Sequence, residues 1–307
     1  MARVLITGAT GTIGRALTSS VLARGDTVVA LSRDERRGRE ALGDSVEVHA
    51  WPEPATAPPP ASALRGADAV VNLLGATVAQ RWTPQAKRAI QDSRVLGTRL
   101  LVEALVALPG AQRPSTLVSQ SATGFYGPRD QQPINEETPA GSDFLAEVVR
   151  AWEHEALAAA RQTRVVLTRT GMVLAPGGGA LAKMLPFFRL GLGGPVAGGE
   201  QYVPWVHLDD VVGALLRCLY GRDVRGPVNV TAPNPVTNAE LSRALGRALG
   251  RPAVLPVPGL ALQVLYGEMA QIVTSGQRAL PERLRSLGYE FRHPEVEAAL
   301  RDVLRRA

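Results

Sequence analysis

The 307-residue chain has few residues of the types that form disulfides or metal sites. Its one cysteine, Cys218, cannot form an internal disulfide, and the apolar helical pattern around it predicts a packing role rather than a nucleophile. The four histidines, at positions 49, 154, 207 and 293, lack the spacing of metal ligands, so no metal is predicted.

Long hydrophobic runs are also missing, although 45% of the residues are hydrophobic. No run approaches the length of a membrane-spanning helix. The N-terminus enters a predicted strand at once, which leaves no room for a signal peptide. We therefore expect a cytoplasmic protein with no membrane partner.

Lysine is nearly absent, since Lys87 and Lys183 are the only two, so the net charge of +6 comes from arginine. The arginines are dispersed along predicted helices, often beside acidic residues. No basic run is interleaved with aromatic residues, as is common at nucleic-acid interfaces. The charge pattern therefore predicts no nucleic-acid partner.

A glycine-rich turn at the start of the chain is the most informative feature that is present. Gly8, Gly11 and Gly14 follow the apolar residues 4–6 and precede a predicted helix over 15–24. At this spacing, glycine allows a tight turn, lets the backbone approach a pyrophosphate, and aims helix N–H groups at the anion. A second predicted strand follows at 27–31, as a dinucleotide site requires. The residues expected to contact the cofactor here are Gly8, Thr10, Gly11, Thr12, Ile13 and Gly14.

The end of the second predicted strand indicates which dinucleotide binds. Ser32 and Arg33 stand where an NAD site has an acidic side chain that binds the ribose 2′-hydroxyl. A guanidinium instead recognises a 2′-phosphate, and a serine hydroxyl can add a donor. The sequence therefore predicts NADP as cofactor. Asp34, one residue later, keeps NAD open as the alternative.

The first half alternates strands and helices, which predicts an α/β fold with a Rossmann-type doubly wound parallel sheet. Strands are predicted at 3–6, 27–31, 46–50, 69–74, 115–119 and 164–169, and the two longest helices at 84–107 and 144–160. We expect an NADP-binding domain over 1–170, with a return strand and helix at 206–232. A smaller mixed α/β substrate-binding lobe is expected over 171–307, with ligand in the crevice between them.

In the second half, glycine-rich loops precede a helix from about Asp210. Asp209 and Asp210 are expected to cap that helix, and Asn238 to cap a helix over 238–250. The rest of the chain is expected to be helical, apart from 255–257 and a turn at 288–291. The aromatic residues expected to line an apolar substrate pocket are Phe187, Phe188, Tyr202 and Trp205, with a core role as the alternative for the two phenylalanines.

Many short motifs occur in an order that indicates a known family. They lie at 7–14, 71–75, 81–82, 93–94, 119–127, 152–153, 169–171, 190–195, 204–207, 276–277 and 288–289. With these motifs the chain resembles, over essentially its whole length, the extended short-chain dehydrogenase/reductase superfamily. The resemblance is to its NAD-dependent epimerase/dehydratase-like branch.

The resemblance implies catalysis by a serine, a tyrosine and a lysine, the last two in a YxxxK motif that places them on one helix face. This chain has no YxxxK, and alignment on Glu153 puts Leu145 at the tyrosine position and Val149 at the lysine position. The superfamily's helix-four asparagine is replaced by Arg94. Only the serine remains, as Ser121.

Three functions remain open on these residues. The first is an NADP-dependent oxidoreductase that acts on a small molecule through Ser121 and a substitute acid. Tyr126 is the first choice for that acid, and the other choices are Glu147, Tyr202 and His207. The second is an NADPH-binding sensor without turnover, and the third is a sugar-nucleotide epimerase. The further cofactor contacts expected at the nicotinamide end are Leu73, Leu74, Gly75, Arg94 and Leu145. Either a monomer or a homodimer fits the sequence.

Overall fold

The computed structural model describes residues 1–129 and 131–307. Its strands are β1 Arg3–Thr7, β2 Thr27–Ser32, β3 Val46–Ala50, β4 Ala69–Asn72, β5 Thr116–Ala122, β6 Pro133–Ile134, β7 Arg164–Thr170, β8 Met172–Leu174, β9 Tyr202–Val203, β10 Trp205–His207, β11 Gly226–Val230, β12 Val236–Thr237 and β13 Arg278–Ala279. Its helices are α1 Thr12–Ala23, α2 Glu35–Leu42, α3 Ala61–Leu64, α4 Pro84–Val106, α5 Phe144–Leu157, α6 Gly179–Arg189, α7 Leu208–Tyr220, α8 Asn238–Leu249, α9 Gly259–Tyr266, α10 Gln271–Thr274, α11 Glu282–Ser286 and α12 Val296–Arg305.

A seven-stranded parallel sheet forms the centre of the fold, in the order β11-β7-β5-β4-β1-β2-β3. Its strands are rich in valine, isoleucine and leucine on both faces, because helices cover both faces of a parallel sheet. On one face α1 and α7 contribute Leu17 and Leu215 to a buried cluster, and on the other α4 contributes Leu101. The doubly wound α/β fold is therefore confirmed, and β11 pairs with β7 at the edge of the sheet.

The fourth strand ends at Asn72, two residues earlier than predicted, because side-chain bonds replace the ladder there. The Asn72 amide donates to Thr98 Oγ1 at 2.9 Å, and its oxygen accepts from Thr7 Oγ1 at 2.8 Å. Thr7 Oγ1 in turn accepts from the backbone N–H of Leu73 at 2.9 Å. Leu73, Leu74 and the residues that follow are thus released into a loop at the carboxyl edge of the sheet.

The C-terminal part has a core of its own, packed against the carboxyl ends of the strands. Leu174, Leu241 and Leu300 belong to this core, and so do Trp205 and Phe188, which are 0% and 4% exposed. The pocket-lining interpretation of Trp205 and Phe188 is therefore wrong, because each is sealed within the packing. Phe187 is 58% exposed, and Tyr202 is partly buried.

Two of the expected helix caps are also wrong. Helix α8 is capped by Thr237 rather than Asn238, in a capping box with Glu240. Helix α7 is capped by His207, whose Nδ1 accepts from the backbone N–H of Asp209 at 3.0 Å. The Asp210 carboxylate instead accepts the backbone N–H groups of residues 292 and 293, at 2.7 and 2.9 Å, and so holds the C-terminal segment.

Cys218 lies fully buried on α7, which confirms its packing role. Burial raises the pKa of its thiol to about 12, so the thiolate form is disfavoured. In the part of the chain that the structure describes, no helix has both the length and the apolar character needed to cross a bilayer.

Candidate functional site

The glycine turn between β1 and α1 is closed by contacts that leave no room for side chains. Gly8 has a φ of +63°, and a Cβ there would lie 2.5 Å from the carbonyl oxygen of Leu73. A Cβ on Gly14 would lie 2.3 Å from the carbonyl oxygen of Gly8. Gly11 begins α1 with no side-chain cap, so the first N–H groups of the helix are left for a ligand.

Replacing Gly14 by alanine is expected to lower the free energy of unfolding by about 1–3 kcal/mol, because the new methyl group overlaps backbone atoms that cannot move aside. Gly110→Ala is the control, since a Cβ on Gly110 meets nothing within 4 Å. Urea unfolding of both variants measures the difference. Equal stability of the two variants would contradict the close packing of the turn.

The start of a second helix lies against this turn. Gly178 begins α6 without a side-chain cap, and a Cβ on Gly178 would lie 2.9 Å from Thr12 Oγ1 on α1. The flanking Gly177 and Gly179 have φ values of +63° and +66°. The sequence predicts only a glycine-rich loop here, because no local pattern shows that these residues contact the first turn of α1.

At the end of β2, the side chains of Arg33 and Asp34 have different environments. Arg33 is exposed, whereas the Asp34 carboxylate accepts from the backbone N–H of Arg37 at 3.0 Å and caps α2. The Ser32 hydroxyl donates to the carbonyl oxygen of Asp34 at 2.8 Å. Asp34 is therefore held as a helix cap, which favours the arginine over the aspartate as the ligand-binding group.

At the end of β4, the half-buried Leu73 and Leu74 lead to the exposed Gly75. Arg94 reaches this point from α4. Its Nη1 donates to the carbonyl oxygens of Ala76 and Ile90, both at 3.1 Å, and its guanidinium lies 5.3 Å from the centroid of the Trp152 ring on α5.

On α5, Leu145 and Val149 occupy adjacent turns of one face, as the YxxxK spacing implies. Both lie near Gly124, since a Cβ on that glycine would be 3.6 Å from Leu145 Cβ and 3.9 Å from Val149 Cγ2. Neither side chain can transfer a proton. The helix face that follows β5 is thus apolar at both positions.

Ser121 lies fully buried at the end of β5 and is bonded to a carboxylate. Its hydroxyl donates to Glu153 Oε1 at 2.6 Å, and Glu153 also accepts from Nε and Nη2 of Arg169, both at 2.8 Å. Glu153 and Arg169 have side chains that are 7% and 5% exposed. Ser121 therefore belongs to a buried ion-pair network, which favours a structural role over a catalytic one.

Tyr126 continues the same network and is 0% exposed. Its hydroxyl donates to Asn229 Oδ1 at 2.6 Å and accepts from Arg169 Nη1 at 3.1 Å. Burial raises the pKa of the Tyr126 phenol. The Tyr126 hydroxyl thus both donates and accepts a hydrogen bond within the protein, which favours a packing role over that of a substitute acid. The catalytic role of Tyr126 stays a prediction.

The residues that sequence reasoning missed are Glu153, Arg169 and Asn229. Residues 152–153 and 169–171 contributed to the resemblance as motifs, but no periodicity indicated that Glu153 and Arg169 pair. The pair connects α5 to β7, and Tyr126 then links it to β11 through Asn229. This buried network lies beside the face of α5 where the superfamily keeps its tyrosine and lysine.

A second polar cluster joins α7 to α12, at His207, Asp209, His293 and Asp302, whose candidate ligand atoms lie within 4.8 Å of one another. His207 Nδ1 accepts a backbone N–H, so in the neutral ring the proton is on Nε2, which lies 3.3 Å from Asp302 Oδ2. That nitrogen then has no lone pair for a metal. Arg306 also bonds Asp209 at 2.9 and 3.0 Å. The cluster is therefore suited to fastening α12, and the full burial of His207 within it disfavours a role as substitute acid.

The remaining candidate acids lie apart from this network. Glu147 is exposed on α5, and the ring of Tyr202 lies 5.1 Å from the guanidinium of Arg278. Neither is hydrogen-bonded to Ser121, whose hydroxyl is directed to Glu153.

The loop after β4 is tied to the C-terminal part by three basic side chains. Lys183 of α6 donates to the carbonyl oxygen of Ala79, Arg81 reaches the carbonyl oxygens at the end of α9, and Lys87 pairs with Glu268. These contacts hold α6 and α9 beside the carboxyl edge of the sheet. The ligand-binding crevice expected at this edge stays a prediction.

Comparison with protein families decides what this fold and turn represent. Residues 4–230 match the model of the NAD dependent epimerase/dehydratase family, and residues 257–303 match a domain of unknown function, DUF1731. The chain belongs to the NAD-dependent epimerase/dehydratase family. The resemblance drawn from the motifs is thereby confirmed.

Named relatives cover the chain almost from end to end. The Arabidopsis thaliana protein "Epimerase family protein SDR39U1 homolog, chloroplastic" is 40% identical over 98% of this chain and 86% of its own length. A Mycobacterium bovis epimerase family protein is 41% identical, over 97% of this chain and 96% of its own length. The crystal structure of human epimerase family protein SDR39U1 with NADPH matches with a TM-score of 0.88 and 36% identity, covering 99% of this chain and 100% of that one.

Proposed function

We propose that the protein is an NADP(H)-binding, oxidoreductase-like member of the family that acts on a small carbonyl or hydroxyl substrate without the YxxxK pair. The observation that carries the cofactor assignment is the division of roles after β2. Arg33 is exposed for a 2′-phosphate, while Asp34 is engaged as the cap of α2. The uncapped start of α1 and the closely packed glycine turn supply the pyrophosphate site.

The human relative supports this assignment, since its structure is described as being with NADPH. In the proposed complex, Gly8, Thr10, Gly11, Thr12, Ile13 and Gly14 surround the pyrophosphate, and Leu73, Leu74, Gly75, Arg94 and Leu145 lie toward the nicotinamide. Arg33 holds the 2′-phosphate with Ser32 beside it, and the Ser32 hydroxyl would have to turn away from the carbonyl oxygen of Asp34 to donate to that phosphate. We place the protein in the cytoplasm, as a monomer or homodimer, with neither membrane nor nucleic acid as partner.

Replacing Arg33 by alanine is expected to weaken NADPH binding while leaving NADH binding nearly unchanged. Loss of a charge-assisted contact to phosphate costs about 1.5–3 kcal/mol, or roughly tenfold to a hundredfold in affinity. Calorimetric titration of each protein with NADPH and with NADH measures the ratio of the two affinities. Arg36→Ala on the exposed side of α2 is the matched control and keeps the wild-type ratio. An unchanged NADPH/NADH ratio in Arg33→Ala would contradict the assignment.

An NADPH-binding sensor without turnover is the second candidate, and a specific observation favours it. Leu145 and Val149 are apolar where the family pattern has its acid and base, and Ser121 and Tyr126 are buried in satisfied hydrogen bonds. A sugar-nucleotide epimerase, as the relatives' names suggest, needs proton or hydride transfer just as reduction does. Screening carbonyl substrates for a change in NADPH absorbance separates the oxidoreductase from the sensor.

A further inference from the structure

The guanidinium of Arg94 is positioned as a binding group for an anion. Its Nη1 is used on two backbone carbonyl oxygens, but Nε and Nη2 make no hydrogen bond to any residue in 1–129 or 131–307. Nη2 lies beside exposed Gly75, 3.0 Å from where a Cβ on that glycine would stand. The unused edge is therefore next to the surface, at the carboxyl end of β4.

The same edge binds carboxylates elsewhere in this protein. Arg99, one helical turn further along α4, uses Nε and Nη2 to hold Glu155 at 3.1 and 2.7 Å. Arg169 holds Glu153 through the same two nitrogens, both at 2.8 Å. This side-on fork matches the two oxygens of a carboxylate or phosphate. On Arg94 the fork has no such partner among the described residues.

Arg164 is a buried arginine that contacts no carboxylate among the described residues, and its hydrogen bonds indicate a structural role. Both of its terminal nitrogens are occupied, by three backbone carbonyl oxygens near the end of α7 and by the Thr116 hydroxyl. Arg94 instead keeps three of its five N–H donors, those on Nε and Nη2, without a partner among the described residues. Burial lowers the pKa of Arg94 to about 10, so the fold bears a cost for this cation that no carboxylate in 1–129 or 131–307 offsets.

We propose that Arg94 binds the carboxylate or phosphate of a second ligand, so that the substrate is an anion. The inference rests on the proposed function, because the anion is placed beside the nicotinamide end of the cofactor. The cofactor's own phosphates are assigned elsewhere, to the glycine turn after β1 and to Arg33 after β2. β4 lies on the other side of β1 from β2, which separates Arg94 from the 2′-phosphate at Arg33, and the pyrophosphate is assigned to the start of α1, so we assign the anion at Arg94 to a different molecule.

The test is calorimetric titration of the NADPH-saturated protein with three probes at constant ionic strength: succinate, inorganic phosphate and the neutral succinamide. Saturable binding of succinate or phosphate but not of succinamide is expected, and the stronger of the two identifies the anion. In Arg94→Gln this binding falls at least about tenfold, and Arg94→Lys, which lacks the fork, retains only part of it. Arg88→Gln, an exposed arginine on the same helix, binds as wild type.

Equal binding of succinamide, no saturable binding of either anion, or unchanged binding in Arg94→Gln would each overturn the proposal. The comparison of succinate with succinamide uses the wild-type protein and holds even if Arg94→Gln does not fold. NADPH affinity is measured first on every sample. Failure of the wild type to bind NADPH contradicts the proposed function, and the same anion titration on the cofactor-free protein then decides the role of Arg94 separately.

Discussion

Replacing Glu153 by glutamine is expected to lower the free energy of unfolding by about 3 kcal/mol, the lower end of the range for breaking a buried ion pair. The variant leaves the Arg169 guanidinium buried without its counter-charge, although the amide oxygen still accepts one hydrogen bond. The pair joins α5 to β7, and through Ser121 and Tyr126 it also braces the ends of β5 and β11.

Glu155→Gln is the matched control, because it lies two residues away on the same helix and pairs with Arg99, whose side chain is 47% exposed. The Glu155 side chain is 14% exposed, but Arg99 is open to solvent, so this pair is expected to contribute less than the buried one and its loss to cost less stability. Urea unfolding followed by far-ultraviolet circular dichroism compares the two variants. If Glu153→Gln loses no more stability than Glu155→Gln, the network does not support the fold.

Turnover of common ketones and sugar nucleotides is expected to be absent or very slow, even though NADPH binds. Positioned acid–base catalysis typically contributes about 10²–10⁴-fold, and Leu145 and Val149 cannot supply it. The glycine turn and Arg33 do not depend on that pair, so the affinity for the cofactor is retained. Oxidation of NADPH in the presence of each substrate, together with a separate binding titration, measures both quantities.

Ser121→Ala and Tyr126→Phe distinguish a structural role of these residues from a catalytic one. Because both side chains are buried in the network, each substitution is expected to lower the free energy of unfolding. Neither is expected to change the rate of NADPH oxidation. Vigorous reduction by the wild type that either variant abolishes at a temperature where both are folded would show that a substitute acid exists. If reduction is vigorous and both variants retain it, other residues carry the reaction.

Part of the site could be predicted because its signals are local. The glycine spacing of Gly8, Gly11 and Gly14 is fixed by the geometry of one strand, one turn and one helix, all within a dozen residues. Arg33 follows from its position after β2 in the same way. The parallel sheet was predictable too, since strands buried on both faces form continuous apolar runs separated by helices.

Other expectations failed because the competing partner lies far along the chain. Asp210 was expected to cap its own helix, but it binds backbone N–H groups more than 80 residues later. Trp205 was expected to line an apolar pocket, but packing with α8 and α12 buries it in the core.

The sequence alone therefore determined the fold class, the glycine turn and the absence of the YxxxK pair, because each depends on residue types at short fixed spacings. Only the tertiary structure decided that Ser121 and Tyr126 are enclosed by Glu153, Arg169 and Asn229. Only the tertiary structure shows that Nε and Nη2 of Arg94 have no hydrogen-bond partner in the part of the chain that it describes. The physical reason is that hydrogen bonding and burial depend on contacts between segments that are distant in the sequence, and local periodicity does not predict those contacts.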